Sequence, residues 1–205
     1  MRATRRVPHL RSLAMVGLVL GACAGGEEAP PTKQVVPDSS TEVVLPLPDT
    51  APPRVRPPAR DPDQEFLRAM GDQAAGMITV ASEAITGAAR SATQNDAQSL
   101  VTREEADQKE IAGLLKDHYD EEFLPVMKPE HSVMLAELRV SAGDAYDRTF
   151  YRHSITLQRE AIALIDASLP RLTDASVRQV AERMRRELQR ELEQYLTKLG
   201  ALPAS

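Results

Sequence analysis

Apolar residues recur at helical spacing from about residue 63 to about residue 200. The first stretch carries apolar or small side chains every three to four positions, at Phe66, Met70, Ala74, Met77, Ala81, Ile85 and Ala88. Residues with this spacing lie on one face of an α-helix. Asp61 suits the N-cap and Pro62 the first helical position, so we expect the helix to begin there.

The same pattern predicts three more long helices. We expect the second over residues 95–118, after an Asn-Asp cap, with an apolar stripe that Glu104 and Asp107 interrupt. The third is expected over residues 144–170, where a proline ends it. The fourth is expected to be capped by Thr173 or Asp174 and to run to residue 200, where a glycine follows the last apolar position.

A short helix is expected between the second and third long helices, after an irregular connection over residues 119–128. Pro129 lies near its start, Met134 and Leu138 share one face, and Gly143 is expected to end it. No segment alternates convincingly between apolar and polar residues as a strand would. The pattern therefore predicts an all-α four-helix bundle with near-antiparallel long helices and a short connecting helix.

The two halves of the predicted bundle resemble each other in sequence. Residues 63–66 align with residues 147–150 at an offset of 84, and residues 108–111 align with residues 189–192 at an offset of 81. An internal repeat of this kind predicts two similar helical hairpins that arose by duplication. Chance similarity between helices rich in Glu and Leu is the alternative interpretation.

The residues before the bundle have a different composition. Residues 1–22 contain four arginines and no acidic residue, followed by a short apolar run and two small residues. This order is typical of a secretory signal peptide. Residues 20–23 read Leu-Gly-Ala-Cys and resemble the lipobox of bacterial lipoproteins, which implies that Cys23 is lipidated and becomes the first mature residue. The alternative is an ordinary signal peptide with an incidental cysteine.

A proline-rich segment separates Cys23 from the bundle. Ten of the 39 residues over 24–62 are proline, and such a segment buries too little apolar surface to fold. We therefore divide the chain into a signal peptide (1–22), a lipidated cysteine with a disordered linker (23–62) and a helical bundle domain (63–200).

Net charge narrows the choice of partners. Removing the four arginines of the signal peptide takes the formal charge from -5 to -9. An acidic chain without a basic stripe is not typical of nucleic-acid-binding proteins. We expect the partners to be the membrane, through the N-terminal lipid, and a protein of the envelope.

Particular residues of both halves carry a resemblance to a known family. They are Phe66, Met70, Gly76 and Ile78 in the first half, Gly143, Tyr146, Asp147, Arg148, Phe150, Tyr151, Ala161 and Ile162 in the second, and Gln108 and Gln189 on the partner helices. These positions resemble domain of unknown function 305 (DUF305), a family of bacterial envelope proteins. The resemblance implies a ferritin-like helical bundle.

The chain departs from DUF305 at the positions where that family carries a His-His pair on the first helix of each hairpin. Here Gln73 and Ala74 replace the first pair, and Leu157 and Gln158 replace the second. The resemblance implies metal binding, with copper in some cases, only for members that keep the histidines. It therefore supports the fold and weakens a metal function.

His153 is the centre of the alternative hypothesis, a metal site. It flanks the stripe of the third long helix, with Gln158 and Glu160 within two turns, and Glu104, Asp107 or Glu191 is expected to face it across the bundle. Three or four converging ligands would form a degenerate copper or iron site. The other interpretation is a boundary histidine paired with an acid.

The sequence shows no motif of catalysis, so we predict no enzyme and no cofactor. No histidine follows a glutamate by three residues on a main helix, as a ferritin-like di-iron site requires, and no Gly-rich phosphate loop is present. The prediction is a lipid-anchored envelope protein that presents an apolar-cored bundle to a protein or small ligand. Ala24 is not the aspartate that retains lipoproteins at the inner membrane, which favours the outer membrane, facing the periplasm, in a Gram-negative cell.

Overall fold

A computed structural model describes residues 56–203, so the predictions for the signal peptide, for Cys23 and for the linker up to residue 55 lie outside the described residues. The described chain is all-helical, as expected. Its helices are α1 (Pro62–Gly87), α2 (Ser91–Tyr119), α3 (Pro129–Arg139), α4 (Gly143–Ser168) and α5 (Ala175–Ala201), and a 3-10 turn (Leu169–Arg171) follows α4.

Two of the predicted helix caps are confirmed. The Asp61 side chain accepts a hydrogen bond from the Gln64 N–H, and Pro62 is the first residue of α1. The Asp174 side chain likewise accepts from the backbone N–H groups of the first turn of α5. Both carboxylates satisfy N–H groups that have no partner within their own helix.

The predicted start of α2 was wrong by four residues. The helix begins at Ser91, and Asp96 lies inside it rather than at its cap. The Asp96 carboxylate accepts from the Tyr151 hydroxyl at 2.6 Å and pairs with Lys198 at 2.5 Å, so it connects α2 to α4 and α5. Tertiary contacts therefore override the local capping preference of this side chain.

Gly143 starts α4, whereas the sequence predicted that it would end the short helix. Its φ of 58° lies in the left-handed region, which glycine adopts without a steric penalty. The short helix α3 ends earlier, at Arg139. Pro170 does not end α4 itself but lies in the 3-10 turn that follows.

Two antiparallel hairpins, α1–α2 and α4–α5, form the bundle. Helix α1 packs against α2, α3 and α4, while α4 also packs against α5. Helices α2 and α5 run antiparallel but lie farther apart, joined by long side chains such as Lys198 to Asp96 at one end and Arg183 to Glu110 at the other. No helix of the described chain is both long enough and apolar enough to cross a bilayer.

Each hairpin begins with a buried aspartate that is hydrogen-bonded to the turn of the other hairpin. Asp63, at the start of α1, accepts from the Thr173 N–H at 3.0 Å and the Thr173 hydroxyl at 2.5 Å, just before α5. Asp147, near the start of α4, accepts from the Ala89 N–H at 2.9 Å, just before α2. Both aspartates and both turn residues are 84 positions apart, which supports the duplication.

The same spacing separates the first residues of α2 and α5, Ser91 and Ala175. The offset of 81 that the sequence alignment gave for these partner helices is therefore not the spacing of their starts. Glu- and Leu-rich helices align almost equally well after a shift of about one turn, which explains the discrepancy.

The interior is less apolar than predicted. Leu, Ile, Val, Met, Ala and aromatic side chains form the core, as expected. However, several polar side chains are also buried among them, including Gln73, Glu104, His131, Ser154 and Gln158. These residues divide the interior into an apolar core and polar clusters.

The last residues of the predicted linker contact the bundle. The Arg56 guanidinium forms two hydrogen bonds with the Asp72 carboxylate, at 2.8 and 2.9 Å, and Arg68 donates to the carbonyl of Pro57 at 2.7 Å. The structure thus places residues from Arg56 onward on the domain, six residues before the predicted boundary at 62.

We predict that Asp63→Ala lowers the free energy of unfolding by about 3 kcal/mol, because the N–H and hydroxyl of Thr173 would lose a charged acceptor in a buried site. Glu65→Ala is the matched control. Glu65 lies in the same helical turn, is 64% exposed and has only a 3.8 Å pair with Arg171, so we expect less than about 1 kcal/mol. Urea denaturation measures both, and equal losses would contradict the role of Asp63.

Candidate functional site

Charged side chains from α2 and α5 meet in a cluster of five residues, which we call the α2–α5 cluster: Arg103, Glu104, Asp107, Arg183 and Glu191. The Arg103 guanidinium bonds both to its neighbour Glu104 and, across the bundle, to Glu191. Arg183 lies 3.2 Å from Asp107 and also pairs with Glu110. Each arginine therefore pairs with a carboxylate on the opposite helix: Arg103 of α2 with α5, and Arg183 of α5 with α2.

Burial dominates the electrostatics of this cluster. Glu104 is only 1% exposed, and burial raises the pKa of its carboxyl to about 7, although Arg103 acts in the opposite direction. Burial also raises the pKa of Asp107, and Arg183 again opposes the change. The cluster therefore contains at least one carboxyl group that titrates near neutral pH.

Helix α4 contributes the floor of the cluster. The Gln158 amide, which is fully buried, donates to the Glu191 carboxylate. Its Oε1 atom and the hydroxyl of Ser154, one turn earlier, have no hydrogen-bond partner within the described chain. Two unpaired polar atoms therefore lie on the α4 face where α2 and α5 separate.

A groove runs along the surface between α2 and α5, above the cluster. It contains a cavity of about 470 Å³ and, farther along the same helices, a second cavity of about 360 Å³. Arg183 lines both. The first cavity is otherwise lined by Arg103, Ala106, Asp107, Glu187, Arg190, Glu191 and Gln194, so the groove presents charges of both signs.

A second polar cluster lies between α1, α3 and α4. Gln73 of α1 donates to the Leu157 carbonyl at 3.0 Å and to the Glu160 carboxylate at 3.3 Å, and it accepts from Lys128 at 2.8 Å. His131 of α3 is buried next to this cluster. The Gln73 side chain and the Leu157 backbone thus meet across the α1–α4 seam.

The five residues of the hypothetical metal site fall in three places. His153 lies 3.1 Å from Glu137 of α3, Glu160 bonds to Gln73, and the other three belong to or border the α2–α5 cluster. Within residues 56–203, no three His, Cys, Asp or Glu side chains converge in an arrangement that could hold a metal ion. The geometry of His153 is that of a boundary histidine paired with an acid.

Three residues that matter in these clusters were not predicted in these roles. Arg103 and His131 were absent from the candidate site, and Glu191 was expected only as an alternative acid opposite His153. A signal for Glu191 was present, because it follows Leu188 by three positions and precedes Tyr195 by four, which places it on the buried stripe of α5. His131 has a comparable signal, because it precedes Met134 by three positions and Leu138 by seven and therefore shares their face of α3.

Comparisons with known proteins agree with the fold. A family model described as "Domain of unknown function (DUF4142)" matches residues 49–197. A search of curated proteins found no significant match.

Two crystal structures of DUF305 proteins resemble the bundle. One is a fragment from Deinococcus radiodurans, with a TM-score of 0.63 and 18% identity, covering 71% of this chain and 100% of the other. The second, from Streptomyces coelicolor, is described as a candidate secreted protein, with a TM-score of 0.61 and 13% identity, covering 71% of this chain and 96% of the other. At these identities the likeness shows the fold, and it confirms the resemblance to DUF305 at that level.

We predict that Glu104 makes stability fall as the pH rises. Between about pH 4.5, where the carboxyl ionises in an unfolded chain, and about pH 7, the folded protein binds the proton and the unfolded chain does not. This stabilisation is fully present below the unfolded pKa and is lost as the pH rises through the folded pKa. Glu104→Gln stays neutral and should lack this loss.

Unfolding free energies at pH 5 and pH 8 test the role of Glu104. From pH 5 to pH 8, Glu104→Gln should gain on the order of 2 kcal/mol relative to the wild type. Glu110→Gln, which removes a half-exposed carboxyl from the same helix, is the control and should follow the wild type. Parallel profiles for Glu104→Gln and the wild type would show that Glu104 is charged throughout.

Proposed function

The chain belongs to the DUF4142 family, and we propose that it is a non-enzymatic binding protein of the bacterial envelope, held at the membrane by a lipid on Cys23. The groove between α2 and α5 is the proposed binding surface. The observation that carries this proposal is the paired charges of both signs that line the groove above a buried polar floor.

The α2–α5 groove is suited to a ligand that carries both cationic and anionic groups, such as a polypeptide segment. Arg190 is exposed at the groove, and its only hydrogen bond in the described chain goes to a backbone carbonyl of its own helix, so its guanidinium is free to meet an anion. Glu187 and Gln194 offer acceptors close by. Charges at the rim of an interface steer association, while desolvated pairs below fix the register.

The hydrogen bonds and ion pairs within the α2–α5 cluster favour binding over catalysis. Glu104 is held by Arg103, Asp107 by Arg183, and Glu191 by both Arg103 and the Gln158 amide. A general base must be able to accept a proton from a substrate, whereas these carboxylates already contact guanidinium or amide donors.

Lipidation of Cys23 rests on the sequence alone. The sequence agrees with the lipobox pattern in three ways: the N-terminus is positively charged, a short apolar run follows, and Leu-Gly-Ala directly precedes the only cysteine. Several acyl chains hold a protein stably on a membrane, whereas one chain binds only marginally. The proline-rich residues that follow would act as a spacer between the membrane and the bundle.

Mass spectrometry of the mature N-terminus tests the lipid anchor. We expect the chain to begin at Cys23 with acyl modifications and to sediment with membranes, whereas Cys23→Ser should release it into the soluble fraction, because the thiol carries the lipid. Ser12→Ala, inside the segment that is removed, is the control and should leave both results unchanged. An unmodified thiol on an exported chain would contradict the anchor.

Site-specific photocrosslinking in cells tests the groove. A photoreactive residue at Gln194, in the groove, should give discrete adducts, and Arg190→Glu should weaken them at least about tenfold, because it reverses a rim charge while removing only a 3.4 Å hydrogen bond to the Arg186 carbonyl. Arg159→Glu, an exposed reversal on α4, should leave the adducts intact. A photoreactive residue at Lys109, on α2 but outside the groove, is the positional control.

Two outcomes would overturn the binding proposal. Adducts of equal yield and identity from Gln194 and Lys109 would show that the groove has no special role. Stoichiometric copper or iron in protein purified without a histidine tag, lost in His153→Ala, would favour the metal-binding alternative instead.

A further inference from the structure

The segment over residues 120–142, which links the two hairpins, is held to the bundle by few buried groups. Only His131 and Leu138 of α3 are buried, and the Lys128 N-cap makes no side-chain hydrogen bond to the helix. Five of the six large apolar residues that the described chain leaves exposed lie on this segment. An element with so few buried contacts opens at a lower free energy than the core does.

Two aromatic rings of the segment fit into glycine notches on α1. A Cβ atom on Gly71 would lie 2.4 Å from Cζ of Phe123, and a Cβ atom on Gly76 would lie 2.1 Å from Cε1 of His131. Both distances are far below van der Waals contact, so both positions need glycine. The imidazole of His131 therefore packs directly on the α1 backbone.

His131 is an unusual core residue. It is 0% exposed, and neither Nδ1 nor Nε2 has a hydrogen-bond partner within the described chain. Burial, with help from the charge of Lys128, lowers the pKa of this histidine. A neutral imidazole is tolerated in such a site at some cost, whereas an unpaired imidazolium is far more costly.

The charged groups that face His131 do not compensate for a proton on it. They are Asp72 on α1, Lys128 in the connection, Glu160 on α4 and Glu130 on α3 itself. Both Asp72 oxygens are bonded to Arg56, and one also accepts from a backbone N–H. Glu160 accepts from Gln73. None of these carboxylates is hydrogen-bonded to the imidazole.

We propose that residues 120–142 form a pH-sensitive clasp, in which protonation of His131 releases α3 from α1 and α4 and uncovers the seam at Gly76. In the released state the imidazolium reaches water. A single proton changes the opening equilibrium by at most about tenfold per pH unit below the pKa of an exposed histidine, which is about 6.5. The clasp is closed above that pH and opens as the pH falls.

The other histidine at this interface serves as an internal control. His153 of α4 lies 3.1 Å from Glu137 of α3, which offsets part of the cost of protonating it, although burial still lowers the pKa of this histidine. Removal of His153 therefore affects the acid-induced release less than removal of His131, because the His131 imidazole has no hydrogen-bond partner within the described chain.

Hydrogen exchange of the purified full chain, followed by mass spectrometry at pH 7.5 and pH 5.5 and corrected for intrinsic exchange rates, tests the clasp. Peptides within residues 123–141 should exchange about tenfold faster at pH 5.5, while peptides from α5 should not change. In His131→Leu the acid-induced change in the protection of α3 should be largely lost, whereas His153→Gln should retain most of it.

Gly76→Ala tests the notch without a titratable change. It should expose α3 to exchange at both pH values, because the methyl group displaces the imidazole. Gly113→Ala, at a helical position with open space around it, is the control. Unchanged protection of α3 in the wild type between pH 7.5 and 5.5, or an acid response that persists in His131→Leu, would overturn the proposal.

Discussion

Two buried carboxylates, 84 positions apart, hold the bundle together at its ends. Asp63 of the first hairpin accepts a hydrogen bond from the turn before α5, and Asp147 of the second hairpin accepts one from the turn before α2. Each hairpin therefore supplies the carboxylate that holds the turn of the other. Neither aspartate bonds within its own hairpin turn. Because a buried carboxylate must be hydrogen-bonded, this exchange fixes α1 antiparallel to α4 and makes the two hairpins one cooperative unit.

The pairing of α1 with α4 leaves α2 and α5 farther apart, and charged side chains fill the interval. Arg103 and Arg183 bring carboxylates of the two helices together, and Gln158 of α4 closes the cluster from below. Replacing such ion pairs with apolar side chains is often neutral or stabilising, so stability alone does not explain them. The proposed recognition of a ligand at the groove would give them a role.

The connection between the hairpins is built on a different principle. Its contacts with α1 depend on glycines that admit the rings of Phe123 and His131, and on polar contacts made by Glu121, Val126, Lys128 and Arg139 along its length. Helices α1, α2, α4 and α5 have continuous buried stripes, whereas α3 buries only two residues. The molecule therefore combines a rigid four-helix frame with one loosely held element beside the α1–α4 seam.

The sequence by itself determined the all-α class, the long helices, the caps at Asp61 and Asp174 and the duplication, because periodicity and capping are local properties. Only the tertiary structure decided the rest. Asp96 became a cross-link instead of a cap, Glu104 and Glu191 turned inward to Arg103, and His131 was buried against Gly76. The spacing of residues along one helix shows which face is buried, but it does not show which side chains from other elements that face contacts.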